Sequence, residues 1–331
     1  MNRPGLGTGT KKGDRAEAGR PRNFDMLHVQ EKPQTGNARV LFDAPHQVAE
    51  ADEKKATEWL AQHVNKARIS GVHAIVADLT PAIARVLLTL NSHNRAVSKV
   101  AVANYSRDIA NGNWSLNGQT IVVSRDGDLN DGQHRCLAVI DADLPVPVVF
   151  VFGAVRESRF TLDQGKLRTA GDFLGMSGHV DSFALSAAAK YVWQRREAGR
   201  LSGQSHFSPT KTEIQAVIAQ HPDIADSLAA IPRKGCDNVG GRSILAFCHW
   251  SLSKAASVPA ADAFIRALVD GVNLGPRDPI LYVRNRLMAE RGRISPNEKA
   301  ELIFRAWNCH RRKETPRTLP AFDGALPTLE N

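Results

Sequence analysis

Between residues 119 and 152 the chain changes character several times in quick succession, and few folds accommodate that order. Gln119-Thr120-Ile121-Val122-Val123-Ser124 has the β-branched run of a strand. Arg125-Asp126-Gly127-Asp128 is a tight turn, and Pro145-Val146-Pro147-Val148-Val149-Phe150-Val151-Phe152 reads as a buried strand. Between them Cys136, Leu137, Ile140 and Ala138 share a helical face that ends at Asp141-Ala142-Asp143. The spacing therefore predicts a compact strand, turn, helix, strand unit. Where strand gives way to helix stands an unbroken polar run, Asp131-Gly132-Gln133-His134-Arg135.

Those residue types at a helix start suit an anion. The first helical turn presents unpaired backbone N–H groups and the positive end of the dipole, and Gly132 would let a phosphate approach the main chain. His134 and Arg135 add donors that fit phosphate oxygens, Arg in bidentate fashion. Asp131 is the group in the run able to accept a proton or bind a metal. A plainer reading stands beside this one: Asp-Gly is a common turn, and Asp131 then simply caps the helix.

At Gly132-Gln133-His134-Arg135 and the strand after it, the chain resembles the ParB/sulfiredoxin-like superfamily, in particular ParB-like proteins of phage or prophage type, from about residue 80 to 169. Partition proteins carry Gly-Glu-Arg-Arg at this box, sulfiredoxins Gly-Cys-His-Arg, and a related free-serine kinase Asp-Gly-His-His-Arg. In all three the box contacts nucleotide phosphates. The kinase box is the nearest, matching Asp131, Gly132, His134 and Arg135. Gln133 replaces both the sulfiredoxin cysteine nucleophile and the partition-protein glutamate, so neither of those reactions follows from the resemblance.

The resemblance implies an α+β chain, a ParB/sulfiredoxin-like domain followed by an all-helical domain. It also implies a nucleoside triphosphate with Mg2+ in the pocket, with Asp131, His134 and Arg135 as the catalytic set if phosphoryl transfer or hydrolysis occurs. Asn94 and Arg95 would frame the pocket from a loop, or be an ordinary helix connector; Asn117 would lie in a turn beside it. Asp163-Gln164-Gly165-Lys166-Leu167-Arg168-Thr169 looks like a recurrent feature of the phage proteins. There Lys166 and Arg168 would clamp a second phosphate, or Thr169 would merely cap the helix through Phe173 and Leu174.

The remaining chain is read from local signals. Residues 1–70 are expected as a flexible basic arm (1–22) and a poorly defined lead-in, 71–175 as the first domain, 176–313 as the helical domain and 314–331 as a loosely ordered tail. Thr80 before Pro81 and Ser98 should cap two helices, with Ile83, Val86, Leu87 and Leu90 on the buried face of the first. Thr210 with Glu213, Asp278-Pro279, and Ser295-Pro296 with Glu298 should start others.

Composition narrows the partners. The net charge of +9 favours polyanions, and DNA is the expected one. Basic clusters at Arg195-Arg196, at Arg284, Arg286, Arg291 and Arg293, and at His310-Arg311-Arg312-Lys313 are either helix ends that offset the dipole or parts of a phosphate-tracking surface. The four cysteines have no paired spacing; Cys136 and Cys248 fall in apolar helical patterns as buried small residues. With no apolar run long enough to span a bilayer and no signal-peptide pattern, a cytoplasmic location is expected. The alternatives to a nucleotide-binding protein are a non-catalytic DNA-binding regulatory module and, lower in rank, a ParB-like nuclease, which the lack of clustered carboxylates disfavours.

Overall fold

In a computed structural model of the chain, a mixed four-stranded sheet with helices precedes a largely helical region, so the molecule is α+β. The structure describes residues 45–91, 96–161, 168–202, 208–314 and 324–331. The basic arm 1–22, together with Asn94, Arg95 and Lys166, lies outside them.

The first half comprises α1 (Pro45–Ser70), β1 (His73–Leu79), α2 (Pro81–Thr89), α3 (Lys99–Ala110), β2 (Thr120–Ser124), β3 (Leu129–Asp131), α4 (Gln133–Ala142) and β4 (Val146–Ala154), followed by a 3-10 turn at Arg156–Thr161. The sheet order is β1-β4-β2-β3. β4 pairs antiparallel with β1, His73 opposite Phe152 and Leu79 opposite Val146, and parallel with β2, Ile121 opposite Phe150. A parallel pair needs a crossover, and α4 supplies it. β3 folds back on β2 through the expected turn, with Asp131 opposite Val122.

Alternation along β4 puts Val146, Val148, Phe150 and Phe152 into one core face, where they meet Ile121, Val123, Leu129, Leu60, Val64, Leu87 and Val139. Residues 45–70 thus differ from the expected lead-in. A stripe of Ala56, Leu60, Val64 and Ala67 makes α1 an amphipathic helix, and its Trp59 stands edge-on to Phe150 at 5.1 Å. In α4 the buried face is Cys136, Ala138 and Val139, while Leu137 and Ile140 are half-buried, a rotation from the expected face. Thr80 and Ser98 cap α2 and α3 by accepting from Ile83 N–H and Ala101 N–H.

The second half is α5 (Ala170–Met176), α6 (Ser182–Ala198), α7 (Lys211–Gln220), α8 (Asp223–Ala230), α9 (Cys236–Val239), α10 (Arg242–Ala255), α11 (Val258–Asp270), α12 (Pro279–Ala289) and α13 (Pro296–Arg312). α10 runs through the middle; its Ile244–His249 stretch is fully enclosed. Phe247, Phe264, Phe304 and Trp307 fill the core around it. Capping boxes close α5 at Thr169 with Asp172, α7 at Thr210 with Glu213 and α13 at Ser295 with Glu298.

Within the stretch expected as a loose tail, the described residues 324–331 are held by α13. Trp307 Nε1 donates to Glu330 O at 2.8 Å, and Asn308 Nδ2 donates to Thr328 O at 2.7 Å. Leu326 and Leu329 also pack on the helical core. Buried polar groups on α13 needed partners, and residues 324–331 provide them.

The halves are joined at the C-terminal turn of α3. Arg107 reaches the Glu213 carboxylate at 3.3 Å and Ser208 O at 2.9 Å, while Asp108 accepts from the hydroxyls of Thr210 and Thr212.

Candidate functional site

The polar run sits where the unit predicts, at the end of β3 and the first turn of α4. Gly132 is the N-cap, with φ +117, and its carbonyl accepts the first helical bond from Cys136 N–H at 2.9 Å. A Cβ there would stand 2.4 Å from Ile121 Cδ1. The glycine is required by backbone conformation and by β2 packing beneath it.

Asp131 is held at both oxygens. Oδ1 accepts from Gly132 N–H at 2.7 Å and Oδ2 from Arg135 Nη2 at 2.7 Å. It bonds the N–H of the N-cap residue itself, leaving α4 without a side-chain cap, and it anchors a guanidinium. Arg135 is only 6 % exposed, and its Nη1 is buried with no hydrogen-bond partner. A cation in the first turn is opposed by the helix dipole, so the Asp131 carboxylate is what holds Arg135 there. An unmade bond on a buried charged donor costs more still.

His134, 8 % exposed, is directed elsewhere: its Nε2 accepts from Ser98 N–H at 2.9 Å, which ties α4 to the start of α3. That nitrogen carries no proton in this arrangement. Gln133 keeps its Oε1 buried and without a hydrogen-bond partner. Burial pushes the Cys136 thiol up to about 12, so the sulfur next to Arg135 is an inert core atom rather than a nucleophile.

The other expected site residues divide. Asn117 spends its Oδ1 on Gln119 N–H at 3.0 Å, an Asx turn ahead of β2. Arg168 is exposed just before the Thr169 capping box, and its expected partner Lys166 lies outside the described residues. Three residues at the site were missed from sequence. Ser98 meets His134. Asn130 donates to Val155 O at 3.2 Å, and Arg156 reaches Asn130 Oδ1 and Asp128 Oδ2 at 3.4 Å each. Only the third dimension brings these together, since Ser98 and Arg156 flank the box by tens of residues.

A protein-held Mg2+ does not fit these side chains. The Asp131 carboxylate already receives two N–H donors, and among the described residues no group of three or more His, Cys, Asp or Glu could hold a metal.

Several basic residues of the helical half have partners within the chain, while Arg196, Arg291, Arg293, Arg311, Arg312 and Lys313 stay exposed. Arg284 Nη1 donates to Leu268 O and Val269 O at 2.8 and 2.7 Å, closing the C-terminal end of α11. Arg286 pairs with Glu290 at 3.2 Å, Arg291 donates to Asn238 and Arg311 to Asn331 O. Arg195 lies over the Phe304 ring at 4.9 Å, and Arg312 pairs with Glu330 at 3.3 Å. Arg284 thereby offsets the α11 dipole, while Arg291, Arg293, Arg311 and Arg312 still present charge to solvent. No helix is long and apolar enough to cross a membrane among the described residues.

No protein-family model matches the chain, and no curated protein or solved structure matches it.

Proposed function

We propose that this protein binds a nucleoside phosphate at the N-terminal turn of α4. The observation that carries the reading is Arg135: a guanidinium buried against the helix dipole, held by Asp131 on one nitrogen and with the other lacking a partner. A phosphate oxygen at Nη1 would satisfy the open donor and offset the dipole at once. The similarity of Asp131-Gly132-Gln133-His134-Arg135 to the phosphate-contacting box of the ParB/sulfiredoxin-like superfamily points the same way.

In this reading Arg135 binds the anion and Asp131 is a positioning residue that keeps the guanidinium aimed. His134 fixes the spacing of α3 and α4. Any Mg2+ would enter on the phosphates of the nucleotide. Hydrolysis or phosphoryl transfer is a further step of the same proposal, read by phosphate release.

Calorimetry with a panel of nucleoside triphosphates and with inorganic phosphate, each with and without Mg2+, tests it. Arg135→Ala should lose affinity by about 1.5–3 kcal/mol, roughly 10- to 150-fold, the scale of a charged hydrogen bond. Absence of nucleotide binding, or equal affinity in the variant, overturns the proposal.

DNA association is a second reading, favoured by the net charge of +9. It would rest on the arm at residues 1–22 together with the exposed Arg291, Arg293, Arg311 and Arg312. Anisotropy with duplex DNA at rising salt, on full-length and arm-deleted protein, decides it.

A further inference from the structure

α1 and β1 meet at a pair of imidazoles well apart in sequence from the polar box. His63 Nδ1 and His73 Nε2 are 3.2 Å apart, with ring centroids at 5.5 Å and a tilt of 34°. Both rings stack on Phe152, at 4.9 and 5.4 Å, and Trp59 meets His63 edge-on at 4.8 Å. Packing therefore fixes where the two nitrogens sit, the condition for a preorganised site. Both residues remain partly exposed.

A single proton shared between two neutral imidazoles leaves one of the facing nitrogens with its lone pair free to accept. Around a tetrahedral ion with bonds of about 2.0–2.1 Å, two ligand nitrogens lie roughly 3.3 Å apart. The gap in the structure is already that wide. Modest ring rotation, with the facing proton moved to the outer nitrogen of its own ring, would turn both lone pairs toward one point where a metal ion could sit while both rings stay neutral.

We propose that His63 and His73 form a two-histidine site for a borderline divalent transition ion, Zn2+, Ni2+ or Cu2+, with water completing the coordination. Two imidazoles and no carboxylate select against Mg2+ and Ca2+, which require oxygen ligands. Burial, with His73 and Lys66 adding to it, lowers the His63 pKa and favours the neutral ring a metal needs. Two features limit the affinity. Lys66 repels the cation, and His73 Nδ1 is buried without the outer acceptor that ligating histidines usually have, a loss of about 10- to 100-fold. A bound ion would link α1 to the edge strand, so it should stabilise the folded chain.

The test uses the full-length, tag-free protein stripped by chelator and titrated with ZnCl2, NiCl2 and CuCl2, with MgCl2 as control. The expected result is one ion per chain, Cu2+ tightest, Mg2+ silent, and a melting temperature that rises with the bound ions. His63→Gln and His73→Gln should each weaken binding at least about tenfold and remove the melting shift, as expected when one of two ligands is lost. Copper electron paramagnetic resonance on the unmodified chain supplies a readout that needs no variant: coupling to two imidazole nitrogens is expected. Binding of unchanged affinity after either substitution, a spectrum without two nitrogen ligands, or no binding at millimolar ion overturns the site.

Discussion

Arg135 in the sheet half and Arg284 in the helical half both bring a guanidinium to a helix end, and they use it in opposite ways. Arg284 lies at the C-terminal end of α11, where orphan carbonyls and the negative end of the dipole receive it; Nη1 alone donates to two carbonyls. Arg135 lies at the N-terminal turn of α4, against the dipole, anchored by Asp131 and with one nitrogen unused. The first placement is what stability alone would select. The second costs stability unless something else meets the charge, and departures of that kind mark candidate binding sites.

Glycines give the sharpest way to break the comparison. Gly132 and Gly271 both have positive φ, +117 and +72, and each abuts a side chain, Ile121 Cδ1 at 2.4 Å from the added Cβ in one case and Arg284 Nε at 2.4 Å in the other. Gly132→Ala drives a methyl into a fully buried isoleucine and strains the backbone, so urea unfolding should show a loss of about 2–5 kcal/mol. Gly271→Ala has to displace an Arg284 guanidinium bonded to Leu268 O and Val269 O, so its loss should be nearer the lower end of that range, about 1.5–3 kcal/mol. A larger loss for Gly271→Ala would mean that the box tolerates its local strain better than the helical half does.

The next effect is smaller and separates the two arginines directly. Arg284→Met abandons two carbonyls and should destabilise by about 1.5–3 kcal/mol while leaving nucleotide affinity unchanged. Arg135→Met removes a buried, incompletely bonded charge and leaves the Asp131 carboxylate, 31 % exposed, to turn to water, so stability should fall by no more than about 1 kcal/mol while nucleotide binding is lost. If Arg135→Met unfolds the protein as Arg284→Met does, Arg135 is a structural group and the contrast collapses.

The smallest effect is a pH dependence in the helical half. Burial raises the Asp223 pKa, but the Lys254 ammonium at 2.7 Å, the Trp250 indole and the backbone N–H of Asp223 together outweigh it and hold the carboxyl below its usual value of 3.8. A depressed carboxyl contributes stability that is full above the unfolded pKa and lost as pH falls through the folded one. Lys254→Ala should therefore flatten the acid limb of the unfolding curve below pH 3.8, by a small amount because both partners are substantially exposed and salt screens them. An unchanged acid limb would show that the pair adds nothing in solution.

Much of the scaffold was legible because its signals are local. A cap such as Thr80, Thr210 or Ser295 is decided within four residues, and so was the strand, turn and helix around Asp131. α1 was missed because its buried stripe of Ala56, Leu60, Val64 and Ala67 is narrow and lies in a strongly charged stretch. β1 was missed because Ala74, Val76 and Asp78 on its exposed side blur the alternation, and half-exposed edge strands have little hydrophobic pattern to show. At the site, residue types were readable and their commitments were not. The pairing of Asp131 with Arg135 follows from helical spacing, but His134 turning to Ser98, and Arg107 crossing to Glu213, depend on packing between distant segments.

The position of β4 in the sheet also sets an order of assembly. β4 is the strand on which both β1 and β2 pair, yet it is the last of the four to be made. A ribosome adding about 5–20 residues per second needs roughly 4–16 s to travel from His73 to Phe152. Throughout that interval β1 has no partner, and its closure on β4 is a long-range contact that forms slowly. The helices from Ala170 onward, built from nearby turns, face no comparable wait. Nascent chains should therefore be most exposed to misassembly and to chaperones before Ala154 emerges, and the polar box on α4, lying between β3 and β4, cannot be set in place until that late strand closes the sheet over it.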